Sequence, residues 1–182
     1  NYVVISANWS DGTYSGAVTW GDGTNGTVGA VTAANSIVDL RGFALVNALA
    51  NGNYVTTSRL WDNGAVSDVG AVVWANGLEP SAFVVSTSNA LFGTTTTDQI
   101  GTVYPLPNGD YVVASQLWDN GALNAAGAVT YGDGESGVIG AITSENSLVG
   151  SHAEDVIGQQ VLGLSGGGYL VVAPQWDSDS LV

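Results

Sequence analysis

The chain has 182 residues, with 16 acidic side chains against two basic ones, one histidine, no cysteine, no methionine and a formal net charge of −14. That length suits one domain or a few small repeated units that bury a core, and a 45% hydrophobic share argues against disorder. Without lysine, nucleic acid and anionic membranes are poor partners; without cysteine, disulfides, thiolate catalysis and cysteine-type zinc sites are excluded; and no apolar run reaches the roughly 18 residues of a membrane-spanning helix.

In chain order, Asn1-Tyr-Val-Val-Ile-Ser-Ala-Asn-Trp9 reads as a β-branched strand, Asp11-Gly12 as a turn, and Gly16-Ala-Val-Thr-Trp20 as a second strand. Asn35-Ser36 and Asp39-Leu-Arg-Gly42 follow, and then the pattern returns. Asn53-Tyr-Val-Thr-Thr-Ser-Arg-Leu-Trp61, Asp110-Tyr-Val-Val-Ala-Ser-Gln-Leu-Trp118 and Gly168-Tyr-Leu-Val-Val-Ala-Pro-Gln-Trp176 are its later copies. Tyr2, Tyr54, Tyr111 and Tyr169 are spaced by 52, 57 and 58 residues, and the four tryptophans keep the same spacings. Gly70-Ala-Val-Val-Trp74 and Gly127-Ala-Val-Thr-Tyr131 repeat the second strand, Asn89 and Asn146 repeat Asn35, and Asp98 and Asp155 repeat Asp39. The first copy lacks two residues after Trp9 and five before Asp39, and gains two before Tyr54, which marks those places as loops.

The repeat divides the chain into units 1–52, 53–109 and 110–167 and a partial unit 168–182. Each unit predicts four short strands, in the third Tyr111–Ser115, Ala128–Tyr131, Ile139–Thr143 and Val161–Leu164. Asn-Gly stands at 25, 51, 63, 76, 108 and 120 and Asp-Gly at 11, 22 and 133, nine places suited to tight turns. The clearest hairpin joins Val103–Leu106 to Tyr111 through Asn108-Gly109. No helical spacing extends beyond two turns, and 26 glycines would erode a helix. The fold is expected to be all-β, built of repeated four-stranded antiparallel units like propeller blades. An open β-stack and a β-trefoil are the alternatives. Three periods plus a fourth Tyr-to-Trp strand exceed what a closed trefoil needs. Fewer than four blades call for an arc, a dimerising half-ring or a link in an array.

The segments 108–121, 127–134 and 146–151 closely resemble a repeat found in tandem arrays within bacterial filamentous-haemagglutinin-type adhesins and other large secreted proteins. At greater distance, Gly168-Tyr-Leu-Val-Val-Ala-Pro174 resembles the strand and turn of integrin-type FG-GAP propeller blades. The first resemblance implies a surface-protein setting; the second implies a propeller. The calcium loop of FG-GAP blades does not carry over. Its position holds Asn51-Gly-Asn53, Asn108-Gly-Asp110 and Gly166-Gly-Gly168, and a two-residue turn cannot supply six to eight oxygens.

Among candidate sites, His152 beside Ser151, Glu154 and Asp155 suggests a triad, but triads are assembled from separate elements, so a solvated loop is expected. Glu154 with Asp155, or Asp177 with Asp179, suggests a glycosidase pair, whereas Asp39, Asp98 and Asp155 recur as turn-capping groups. The strongest ligand candidates are the corners Trp9 with Asp11, Trp61-Asp62-Asn63, Trp118-Asp119-Asn120 and Trp176-Asp177, where an aromatic face lies beside carboxylate and amide groups suited to a sugar. Packing of the tryptophans between units is the competing reading. Gly21–Gly26 lacks the lysine and the helix of a phosphate loop.

The sequence therefore leads to a non-catalytic structural or adhesive repeat module, extracellular or on the cell surface, with no cofactor and no metal. The absence of methionine points to a processed chain or a piece of a longer one. Its expected partners are further copies or neighbouring repeats, with head-to-tail assembly or membership of a larger ring, and glycans if the corners act as a lectin. The four tyrosines are expected at equivalent strand starts, with Val112 in the core.

Overall fold

The structure is a computed structural model that describes residues 1–42 and 44–178. Its strands are β1 (Tyr2–Ser10), β2 (Ser15–Gly21), β3 (Ile37–Val38), β4 (Leu45–Ala48), β5 (Tyr54–Ser58), β6 (Ala71–Ala75), β7 (Phe83–Val84), β8 (Leu91–Phe92), β9 (Thr102–Pro105), β10 (Tyr111–Ser115), β11 (Ala128–Gly132), β12 (Gly140–Ala141), β13 (Ser147–Val149), β14 (Gln160–Gly163) and β15 (Tyr169–Val172). No helix occurs among the described residues, and the fold is all-β.

Four sheets follow one another along the chain: β1-β2-β3-β7, β4-β5-β6-β8-β12, β9-β10-β11-β13 and β14-β15. In the second, Tyr54 lies opposite Ala48 on one side and Ala75 on the other, so the tyrosine strand is the second strand of an antiparallel meander. The third repeats this register, with Tyr111 opposite Pro105 and Gly132. The hairpin at Asn108-Gly109 forms as expected: Leu106 N donates to Asp110 O at 2.8 Å and Gly109, at φ +99°, donates to Leu106 O.

Two strand expectations need correction. Ile139–Thr143 contributes only β12, which leaves its own unit and pairs in parallel with β8 of the sheet before it. β7 does the same on β3. The outer antiparallel strand of the third sheet is instead β13, from the Asn146-Ser147 landmark, too short for its alternation to register. Val161–Leu164 forms as β14 but pairs with β15, across the 167/168 boundary. β4 and β9 cross the earlier boundaries in the same way.

The sheets pack face to face with an apolar core in each interval. Alternation along the strands sends Tyr54 and Val73 to the first core and Val55 and Val72 to the second. Tyr111 and Val113 join the second, while Val112, Ala114 and Val129 join the third with Val161. β5 and β10 are buried at every residue because both faces are covered. The four tyrosines do start equivalent strands, and Val112 is buried. Tyr54 and Tyr111 are 3% and 0% exposed, whereas Tyr2, whose face looks away from the other sheets, is 44% exposed.

Among the described residues no pairing joins the first sheet to the last, so the sheets form a row, without the closed barrel of a trefoil.

Candidate functional site

The Trp-Asp-Asn-Gly corners lie in four different units and do not converge. Trp61 and Trp118 are only 4% and 3% exposed, packed in the first and second cores. Neither presents a ring face to a sugar. Trp176 is 55% exposed. Trp9 is half-buried, and its indole N–H donates to Val31 O at 3.0 Å. The corner carboxylates tie down their own turns. Asp62 Oδ1 accepts from Asp68 N at 2.9 Å and Asp119 Oδ1 from Ala125 N at 2.8 Å. Asp11 accepts from Thr13 N and Tyr14 N, bonds that lower its pKa. Asn63 pairs through its backbone with Val66, and Asn120 with Leu123; the Asn120 amide also donates to Gly150 O.

The acids with the most elaborate surroundings are Asp98 and Asp155. Both carboxylates are buried. Asp98 Oδ2 accepts from Thr94 N and Thr95 N at 2.7 and 2.8 Å, while its Oδ1 accepts from Asp119 N, beside the next unit's tryptophan, at 3.1 Å. Asp155 repeats this with Ser151 N, His152 N and Asp177 N at 2.8, 2.9 and 3.1 Å. The capping role expected of these two is present, and the sequence did not show that each also reaches into the next unit. Burial raises the pKa of Asp98 beyond what its three N–H donors offset. At Asp155 burial also pushes upward, but the N–H groups of Asp177, His152 and Ser151 outweigh it and the pKa is lowered.

His152 Nδ1 lies 3.1 Å from Ser151 Oγ and 3.8 Å from Asp155 Oδ2. That carboxylate oxygen already accepts two backbone N–H groups, so Ser151, His152 and Asp155 organise one loop. Glu154 is exposed, Asp177 serves Asp155 through its backbone, and Asp179 lies outside the described residues.

Asp39 departs from the pattern. Leu40 lies against Gly16 as Ile100 lies against Gly70, so Asp39 stands at the place of Gln99, at φ +69°, with Arg41 Nε at 3.2 Å, and Arg41 Nη1 reaches Asp62 Oδ2 at 2.5 Å. An exposed ion pair thus stands at the first junction where a buried carboxylate stands at the next two.

A second set of ties escaped the sequence reading. Asn1 Nδ2 and Trp20 Nε1 both donate to Gly77 O of the next unit, each at 2.9 Å. Asn53 Nδ2 and Trp74 Nε1 both donate to Gly134 O, each at 2.8 Å. These glycines serve close approach rather than positive φ: a Cβ on Gly77 or Gly134 would land on the carbonyl oxygen of Gly52 or Gly109. The available signal was the polar residue before each tyrosine with the aromatic before each glycine turn. The third unit has Asp110 and Tyr131 there, and Tyr131 OH donates to Asp110 Oδ2 at 2.6 Å. That bond raises the Tyr131 pKa to about 12 and lowers that of Asp110.

One groove of about 600 Å³ runs beside β1, lined by Val3, Ile5, Val46, Ala48 and Tyr54 among others. No group of three or more metal-ligating side chains occurs among the described residues.

A family described as a repeat of unknown function (DUF5650) matches residues 1–41, 48–102 and 105–159. The chain belongs to this family. Three matched copies of the DUF5650 repeat agree with three tyrosine-strand meanders in a row, and the matched segments end near the edge strands β4, β9 and β14. No curated protein and no solved structure matches the chain.

Proposed function

We propose that this chain is a non-catalytic structural and adhesive repeat module of a secreted or cell-surface bacterial protein, working as a stack of like sheets that extends head to tail. The observation that carries this reading is the use made of the recurring side chains. Asn53, Trp74, Asp98, Trp61 and Trp118 are all spent on holding one sheet to its neighbour. Such nearest-neighbour ties are what a one-dimensional array requires. The lack of lysine and cysteine, and the resemblance to tandem repeats of large bacterial surface proteins, support the extracellular setting. The lectin alternative loses the buried rings of Trp61 and Trp118 as stacking platforms and is not retained.

Two measurements test the module reading. A screen over glycoside, ester and peptide substrates is expected to give no turnover above blank; turnover abolished by His152→Ala would sink it. Small-angle scattering of arrays with added DUF5650 repeats is expected to show a maximum dimension that grows with each copy.

A further inference from the structure

The first two junctions between units hold the same corner carboxylate in different company. Leu40, Ile100 and Ile157 take one place against Gly16, Gly70 and Gly127. The next position is therefore Arg41 in the first unit, Gly101 in the second and Gly158 in the third. At the first junction Arg41 crosses to the corner of the second unit. There Asp62 Oδ1 accepts from Asp68 N at 2.9 Å, and Asp62 Oδ2 accepts from Arg41 Nη1 at 2.5 Å. At the second junction Asp119 Oδ1 accepts from Ala125 N at 2.8 Å in the same way. A glycine stands in the place of the arginine, and Asp119 Oδ2 has no hydrogen-bond partner among the described residues.

Asp119 lines a cleft of about 400 Å³ between these two units, with Thr97 and Gln99 on one side and Leu117, Asn124 and Ala125 on the other. That volume is in the range of small-ligand sites. Thr97 N and Gln99 N donate to Ser67 O and Asp68 O, which fixes the first wall, and the Asp119–Ala125 bond fixes the second. The side chains of Thr97, Gln99 and Asn124 make no hydrogen bond among the described residues, so hydroxyl and carboxamide oxygens stand beside the carboxylate as acceptors. Arg59, the only other basic side chain of the two, is held by its Nε to Gln99 O at 3.2 Å and makes no ion pair with Asp119. Leu117 is 44% exposed and offers an apolar side for an aliphatic stem. A guanidinium suits these acceptors better than an ammonium. Its planar fork of N–H donors meets several oxygens at once, whereas an ammonium is a compact charge held strongly by water.

We propose that the cleft between the second and third units receives an arginine side chain of another polypeptide, with its guanidinium on Asp119 Oδ2 as that of Arg41 lies on Asp62 Oδ2 and its stem along Leu117. The net charge of −14 draws a basic partner toward this site, and salt weakens the attraction. The site is separate from the bonds that hold one unit to the next, so its failure would leave the array reading standing.

The test is an amide nuclear magnetic resonance titration of the full, isotope-labelled chain with the blocked peptide acetyl-Ser-Arg-Ser-amide at low salt. Saturable shifts are expected at residues 97–99, 117–119 and 124–125. Asp119→Asn keeps an oxygen for Ala125 N while removing the charge, and is expected to weaken binding about fivefold. Arg41→Ala releases Asp62 Oδ2 and is expected to add a second set of shifts over residues 60–68; failure of that set to appear would overturn the likeness on which the site is assigned. The peptide with lysine in place of arginine is expected to bind more weakly, and equal binding would overturn the guanidinium assignment. Methylguanidinium binding as tightly as the peptide would overturn the assignment to a polypeptide side chain. No saturable shift at residues 117–125, or binding undiminished by Asp119→Asn, would overturn the site itself.

Discussion

The junction between the second and third sheets and the junction between the third and the β14–β15 hairpin share an equivalent buried aspartate with the same three N–H donors and differ in the aromatic and amide groups beyond it. At the first, Asp98 reaches Asp119 N while Asn53 and Trp74 clasp Gly134 O, and Trp118 is buried between the sheets. At the second, Asp155 reaches Asp177 N, but Asp110 and Tyr131 bond to each other and Trp176 stands exposed. One carboxylate with three N–H donors is thus insufficient to bury a tryptophan. Burial needs a full sheet on the far side, and the amide and indole donors become useful only when that sheet presents a carbonyl to receive them.

The largest test of this contrast is paired truncation. Trp118→Ala is expected to destabilise the protein by about 3–5 kcal/mol, and Trp176→Ala by no more than about 0.5 kcal/mol, read as shifts in denaturant midpoint. Comparable losses would break the comparison. Next, Asp98→Ala leaves three part-buried N–H groups without their acceptor and is expected to cost about 1–3 kcal/mol. Asp155→Ala should leave the main transition almost unmoved and instead speed amide exchange over residues 169–177. A third change imports the terminal residue into the central junction: Asn53→Asp removes the donor to Gly134 O and turns a carboxylate toward that carbonyl, for a loss of about 1–3 kcal/mol in the same assay.

The smallest effect is the pH response. Asp98 has a folded pKa above its ordinary 3.8, so its contribution to stability is complete below 3.8 and fades as pH rises through the folded value. Asp155 is depressed, so its contribution is complete above 3.8 and is lost as pH falls through the folded value. Acidification from neutrality should therefore loosen the terminal hairpin while the central junction holds. Carboxyl-carbon nuclear magnetic resonance titration should place the two aspartates on opposite sides of 3.8. Coincident titration would show that the two sites share one environment.

Much of the fold was legible because it depends on local chemistry. Alternating β-branched residues after each tyrosine made strands, the Asn108-Gly109 turn made its hairpin, and the repeat marked equivalent places. β13 was missed because three residues carry too little alternation. β12 was assigned to its own unit because a sequence does not show which edge a short segment meets. At the corners, residue type alone left tryptophan free to stack on a sugar or to fill a core. Asp39 looked like Asp98, but the structure places it one position on, where Gln99 stands, and beside Arg41.

The sequence by itself determined that this is an all-β protein of tandem units, because strand pattern, turn residues and repeat spacing act within a few residues and reappear at a fixed period. Only the tertiary structure decided that the second and third units each lend a strand to the sheet before, that Trp61 and Trp118 lie between sheets, and that Asn53 and Asp98 tie one unit to the next. Those outcomes depend on which faces and edges are brought together at separations of 20 residues and more, where burial and the need to pair every buried N–H and carbonyl outweigh local preference.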